Sequence, residues 1–421
     1  MAKPKLALIP AAQGTKFYSV LPSDGTGDFD FTRGSVATRI NAQGLIENVA
    51  SGQSRLDYPL IDGVQKGCPH HILEPARTNL IPYSEDFSQS AWQKYRSSIL
   101  SNNAISPDGT LNADKLVDNL DNNTHAIEEN ISGLINGSNY TYSVFVKAAE
   151  IKQIGVLGSN PNQGTVFDLE KGIVLGSILS TPNSSKIEYY GNGWYRCIIV
   201  GTLNNASSKF GLYLYKDEVN IYTGNGTDGL YIWGAMLEEG SFPTSYIPNY
   251  GNAAGVTRSA ETATGAGNST TFNDSEGVLM LETKLLTELG NDSMISLSSV
   301  SDDEVRFRFY TSGVVLVKVG NAQPSYDYLF TDNTKLLIKW GNGSFNLFVN
   351  GFNVLTSTYS IAPSGINQLN FSHYNYTSYP FYGNVKQLQY FNSALDSQQL
   401  EQLTSWQSFR DMAEGQLYTI E

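Results

Sequence analysis

"NYTYSVFVKAA" (139–149) decides the fold. Tyr140, Tyr142, Val144 and Val146 fall on every second position, with Thr141, Ser143, Phe145 and Lys147 between them. A period of two places alternate side chains on opposite faces of a strand, whereas a helix needs a period near 3.6. The same texture recurs between turn residues in "GTVFDLEKGIVLGS", "SKIEYYGNGWYRCIIVGTL", "KFGLYLYK" and "GLYIWGAML". It returns in "EVRFRFYTSGVVLVKVG" and "TKLLIKWGNGSFNLFVNGFNVL", where Val305, Phe307 and Phe309 face away from Arg306 and Arg308. Many short strands at this spacing predict sandwiches or jelly rolls. Only "LDSQQLEQLTSWQSFRDM" reads as a helix, with Leu400, Leu403, Trp406 and Phe409 recurring every three residues and Asp396 as its cap.

The chain is therefore expected to be all-β: a small N-terminal β leader, two β-sandwich (jelly-roll) domains and a short C-terminal helix. Residues 1–75 form the leader, in which "NAQG" (41–44) sits where a hairpin turn belongs. The leader is poor in large apolar residues, so its order should depend on a neighbour or a partner. Residues 76–250 form the first sandwich, 251–270 a linker rich in small residues, and 271–421 the second sandwich with the helix. A length of 421 residues suits several domains at about 150 residues each.

Charged residues make up only 16% of the chain, while 39 glycines and 25 tyrosines supply turns and pleated surfaces. A net charge of −13 argues against nucleic acid, whose phosphates would be repelled. No apolar run approaches the ~18 residues of a membrane span. "LALIP" near the start falls short of the ~7–15 apolar residues of a signal-peptide core. The two cysteines, Cys68 and Cys197, have no metal-site spacing and are expected as buried free thiols rather than a disulfide.

Several stretches resemble a known group. "LEPARTNLIPYSEDFSQSAWQK", "GNGWYRCIIVGT" and "YIWGAMLEEGSFPTSYIPNYG…VTRSAE" are similar to the carbohydrate-binding-module-like domain of bacteriophage tail and fibre proteins. "VATRINAQGLIENVASGQSRLDY…GCPHHILEPARTNLI" resembles the leader that often precedes that domain, and "YPFYGNVKQLQYFNSALDSQQLEQLTS" the end of a concanavalin A-like, laminin-G-type domain. The resemblance implies a virion structural protein, a tail or head fibre component located on the particle surface. Its partners would be other virion proteins, through the N-terminal region, and host-surface glycan; fibres of this kind are commonly homo-oligomers, often trimers. The competing readings are a glycan hydrolase or lyase and a ligand-free decoration protein.

Glu238 and Glu239 in "GLYIWGAMLEEGSFPTSYIPNYG" (229–251) invite an acid/base reading, but adjacent strand residues point to opposite faces. They are expected to close a sandwich. Concanavalin A-like glycosidases carry Glu-x-Asp-x-Glu on one strand, and no glutamate here has an Asp two residues later. Retaining chemistry needs carboxyls about 5–5.5 Å apart. The chain is thus expected not to be an enzyme, and no catalytic residue is named. His70 and His71 of "GCPHHIL" would face opposite ways and pack between the leader and the first sandwich. No cofactor is expected; laminin-G-like folds leave calcium open, with Asp302 and Asp303 as candidate ligands. Trp194 and Trp233 read as core. In "SHYNYTSYPFYGN" (372–384), His373, Tyr374, Tyr376, Tyr379 and Tyr382 crowd among Asn, Ser and Thr, with Pro380 interrupting any strand. Tyrosine in such company suits a ligand-binding loop, because it offers rigid contact area at low entropy cost.

Overall fold

The computed structural model describes residues 3–158, 163–286, 292–310, 313–327, 333–376, 378–406 and 411–412. The chain is all-β, with antiparallel ladders throughout and one helix among the described residues. Strand Asn139–Ala148 buries Tyr140, Tyr142, Val144 and Val146 in the core of the first sandwich. Phe145, on its other face, packs against Trp233 and Tyr246 in a smaller outer cluster. Both faces are covered, as expected of a central strand.

That strand lies third from one edge of a six-stranded sheet, between Gly229–Glu239 and Trp194–Thr202. A second six-stranded sheet, running from Gln93–Tyr95 to Ile173–Leu179, packs over it. The second sandwich joins a five-stranded sheet, containing Ser293–Ser298 and Asp303–Phe309, to an eight-stranded one. Helix Ser397–Thr404 seats Leu400 against Leu337, Phe348 and Phe391 on the outer face of the larger sheet. Asp396 caps it in a reciprocal capping box with Gln399. Of the predicted helical stripe, Phe409 lies outside the described residues. No described helix is long and apolar enough to cross a membrane.

The leader is built into the second sandwich. Leu6–Leu8 pairs with Leu388–Tyr390, and His70–Leu73 pairs with Gly383–Val385 on the same strand. Leu6, Leu8, Phe17, Phe29, Phe31 and Leu73 lie in the second sandwich's core. Few but well-placed apolar residues thus order the leader on a neighbour distant in sequence. Residues 251–270, expected as a linker, carry two strands. Val256–Arg258 pairs with Arg77–Asn79, and Thr262–Thr264 pairs with Phe29–Thr32. The first sandwich is in effect an insertion in the second, entered and left through a two-stranded neck.

Two side-chain expectations need correction. Cys197 is buried, but Cys68 is exposed, and both are free thiols. His70 and His71 occupy a strand of the second sandwich's sheet, not a loop against the first. His71 stacks on Phe17 with ring centroids 3.8 Å apart, and burial pushes its pKa down to about 3.

At the neck lies a buried ion cluster. Arg33 donates to Glu261 Oε1 at 2.8 Å, and Arg55 bridges Glu261 and Glu74, reaching Glu74 Oε2 at 2.8 Å. Arg258 stands 2.9 Å from Glu74 Oε2. All five side chains are essentially inaccessible. Burial alone would raise the Glu74 carboxyl, but Arg258 and Arg55 hold it at about 2. Ser245 donates to Glu74 through its N–H at 2.8 Å and its hydroxyl at 2.6 Å. The conspicuous motifs "LEPARTN", "SRLDY", "TSY" and "VTRSAE" therefore meet in one place.

Candidate functional site

Glu238 and Glu239 separate as strand geometry requires. Glu238 is buried, accepting from the N–H and hydroxyl of Thr244 at 2.8 and 2.7 Å, while Glu239 faces solvent. Burial raises the Glu238 carboxyl against these bonds. Trp194 and Trp233 are both buried.

The 372–384 loop has a mixed disposition. His373 Nε2 lies 3.3 Å from Asp303 Oδ2, and the Tyr374 N–H donates to Asp303 Oδ1 at 2.8 Å. Tyr376 and Tyr379 are exposed, with φ of 62° and 51°, uncommon for residues other than glycine. Arg308 sits 4.1 Å from the Tyr379 ring centroid. Tyr382 is half-buried, and burial raises its hydroxyl pKa beside Arg77, Glu261 and Arg258. The five residues thus divide three ways: His373 and Tyr374 are held against Asp303, Tyr376 and Tyr379 form an exposed tip, and Tyr382 lies near the neck.

Asp303 is buried and already accepts from Ser298 Oγ at 3.0 Å, with Arg306 3.4 Å away. Asp302 accepts from Lys318 Nζ at 2.6 Å. Protein donors occupy both calcium candidates. Among the described residues no three His, Cys, Asp or Glu side chains gather as a metal ion would need.

A different region has the geometry of a ligand site. A cleft of about 520 Å³ opens in the first sandwich, lined by Tyr83, Glu85, Asp86, Asn112, Asp114 and Tyr250, among others. Its wall is the loop following Pro82. Trp92, buried against Phe87, anchors that loop by donating its indole N–H to the Tyr83 carbonyl at 2.9 Å. Asp114, on strand Leu111–Asp118, accepts from the N–H of Phe87 and of Asn102, each at 2.9 Å. Asn102 takes a left-handed φ of 53° at a bulge in the edge strand, a conformation asparagine tolerates. Asp114 therefore staples loop to bulge. Burial raises its carboxyl against those two bonds.

Glu85 is held from three directions. Tyr246 and Tyr250 donate to Oε1 at 3.0 and 3.3 Å, and Asn112 donates to Oε2 at 3.2 Å. Burial pushes its carboxyl up to about 7, with the Tyr246 hydrogen bond offsetting part and Asp108 adding to the rise. Burial would likewise raise Asp86, but hydrogen bonds from Ser88 and Gln89 bring it below the usual carboxylate range. Tyr250 is 71% exposed although its hydroxyl is tethered.

Tyr83, Glu85, Asp86 and Tyr250 stand inside stretches quoted for their resemblance, "IPYSEDFSQS" and "IPNYG", while Asn112 and Asp114 lie in a different strand outside any quoted stretch. The signal in those stretches is the one that singles out 372–384: tyrosine beside Pro, Ser, Asn and acid.

No family model matches the chain, and no curated protein does. Solved structures with partial likeness include the Ruminococcus gnavus IT-sialidase CBM40 bound to alpha2,3 sialyllactose. It shares 16% identity at a TM-score of 0.27, over 34% of this chain and 94% of that one. Domains LG4-5 of the mouse laminin alpha1 chain share 14% at 0.23, over 66% and 90%. Trypanosoma rangeli sialidase in complex with sialic acid shares 9% at 0.29, over 93% and 78%. Likenesses this faint carry no argument about function.

Proposed function

We propose that the chain binds an uncharged glycan in the cleft of the first sandwich, without catalysis. The carrying observation is Tyr250, an exposed ring tethered to Glu85 at the edge of a cleft rich in carboxylates, amides and hydroxyls. A sugar ring offers an apolar face for tyrosine and hydroxyls that both donate and accept. Carboxylates accept the hydroxyl protons, amides and serines donate, and the acidic lining disfavours an anionic ligand. Each carboxylate is already oriented by protein donors, so little ordering remains at binding.

Tyr250→Ala is expected to weaken glycan binding about tenfold or more, the loss of one stacked ring with its hydrogen bonds. Its stability should change by only about 0.5 kcal/mol, as at other surface positions. Titration calorimetry on glycans selected from an array, beside thermal denaturation, checks both. Unchanged affinity would remove the cleft from the reading. Release of reducing sugar by the purified protein would overturn the non-catalytic part and make Glu85 the candidate acid.

The sequence resemblance supports display on a virion, with several copies raising weak single-site affinities. Mass spectrometry of purified particles tests that location. The rings of Tyr376 and Tyr379 offer a second contact surface. Tyr376→Ala with Tyr379→Ala should cost no more than about 1 kcal/mol while weakening attachment to cells. A fall of several kcal/mol on thermal denaturation would mean these rings only pack.

A further inference from the structure

Glu85 and Tyr250 line not one depression but two. Beyond them lies a second, of about 230 Å³, whose wall includes Thr38, Glu47, Asn48, Asp108 and Thr110. Thr38, Glu47 and Asn48 belong to the leader hairpin formed by Ala37–Ile40 and Ile46–Val49. The hairpin is stitched to the first sandwich, with the Ile46 N–H donating to the Pro107 carbonyl at 3.0 Å and the Thr38 hydroxyl to the Tyr246 carbonyl at 2.5 Å. Within it Arg39 Nε donates to Glu47 Oε1 at 2.6 Å and Asn41 to Glu47 Oε2 at 3.0 Å, fixing the Glu47 side chain. Asn48 and Thr110 are exposed.

We infer that the two depressions form one groove, and that its ligand is an extended, uncharged oligosaccharide running over Tyr250 onto the leader hairpin. This rests on the glycan reading of the first cleft and assigns the leader a share of the site. The second depression presents hydroxyl, amide and carboxylate groups like the first, so one repeating polyhydroxylated chain satisfies both. Tyr250 stands between them as a platform with two usable sides. A ligand confined to a single terminal sugar would leave the second depression unused.

The experiment is calorimetry of the full chain with size-graded neutral oligosaccharides, from mono- to hexasaccharide, prepared from a dextran, a mannan and a galactan. Affinity in the series that binds should climb by at least about tenfold with length and then level off, since each added ring and its hydrogen bonds contribute separately. Thr110→Trp, which fills the second depression from an exposed position, should abolish the climb, leaving the longest oligomer no tighter than the shortest. A monosaccharide binding as tightly as the hexasaccharide, or an undiminished climb in Thr110→Trp, overturns the extended groove and leaves the first cleft's reading standing. Absence of binding throughout all three series overturns both. A folded far-ultraviolet spectrum of the variant keeps the comparison valid.

Discussion

Glu261→Ala is expected to lower the stability of the chain by about 3–5 kcal/mol, because removing one carboxylate from a buried ion cluster leaves buried positive charge uncompensated. Glu261 accepts from both Arg33 and Arg55 and also from the N–H of Glu74 at 2.9 Å. Its loss would leave the buried Arg33 guanidinium without a carboxylate and the buried Arg55 with Glu74 alone, which Arg258 already shares. Urea denaturation followed by tryptophan fluorescence measures the effect. Glu239→Ala, only one residue from the buried Glu238, serves as the contrast and should fall within about 0.5 kcal/mol of the parent. A loss below about 1 kcal/mol in Glu261→Ala, the middle of the range for ordinary substitutions, would mean that apolar packing alone joins leader to sandwiches.

Stability should also fall as pH rises from about 4.5 to about 7. Glu129 lies on the inward face of strand Ala126–Ser132, beside Ile127 and Ile131, and its Oε2 has no hydrogen-bond partner. Burial pushes its carboxyl up to about 7, where Glu85 also titrates. A folded-state pKa above the unfolded one means the native chain holds a proton that the unfolded chain has already lost. That contribution is complete below pH ~4.5 and gone above pH ~7. For Glu129 it amounts to roughly 3–4 kcal/mol, at about 1.4 kcal/mol per pH unit. Glu74 and His71 act in the opposite sense, the low pKa of Glu74 withdrawing stability as pH falls below ~4.5 towards 2 and that of His71 as pH falls below ~6.5 towards 3. Between pH ~4.5 and ~7 Glu129 and Glu85 together outweigh His71. Scanning calorimetry across pH 4 to pH 9 should therefore find a maximum on the acid side of neutrality, and Glu129→Gln should flatten the alkaline decline. An unchanged slope in that variant would show that the Glu129 carboxyl is solvated.

The all-β architecture was legible because period-two patterning is local: "NYTYSVFVKAA" carries its own evidence of which residues turn inward. The helix was legible for the same reason, through Asp396 and the spacing of Leu400 and Leu403. The leader's place was not, because Leu6–Leu8 finds its partner at Leu388–Tyr390, and nothing in either short run encodes the other. Arg33, Arg55, Glu74, Arg258 and Glu261 were equally opaque. Charged residues at intervals along a chain look solvated until the fold collects them. Composition alone marks the 372–384 loop, and composition cannot tell a tyrosine at the exposed tip from Tyr382 near the neck. The same composition at Tyr83 and Tyr250 went unread because the two lie far apart in sequence and meet only through an antiparallel bridge.

Insertion of the first sandwich within the second has a consequence for biosynthesis. As the ribosome moves along the message, Leu6–Leu8 and His70–Leu73 emerge long before the strand Gly383–Phe391 that must receive them. The inserted sandwich, whose strands emerge together, has all its own partners by then and can mature first. The early strands must wait with apolar edges uncovered, a period in which nascent chains are vulnerable to mispairing with one another.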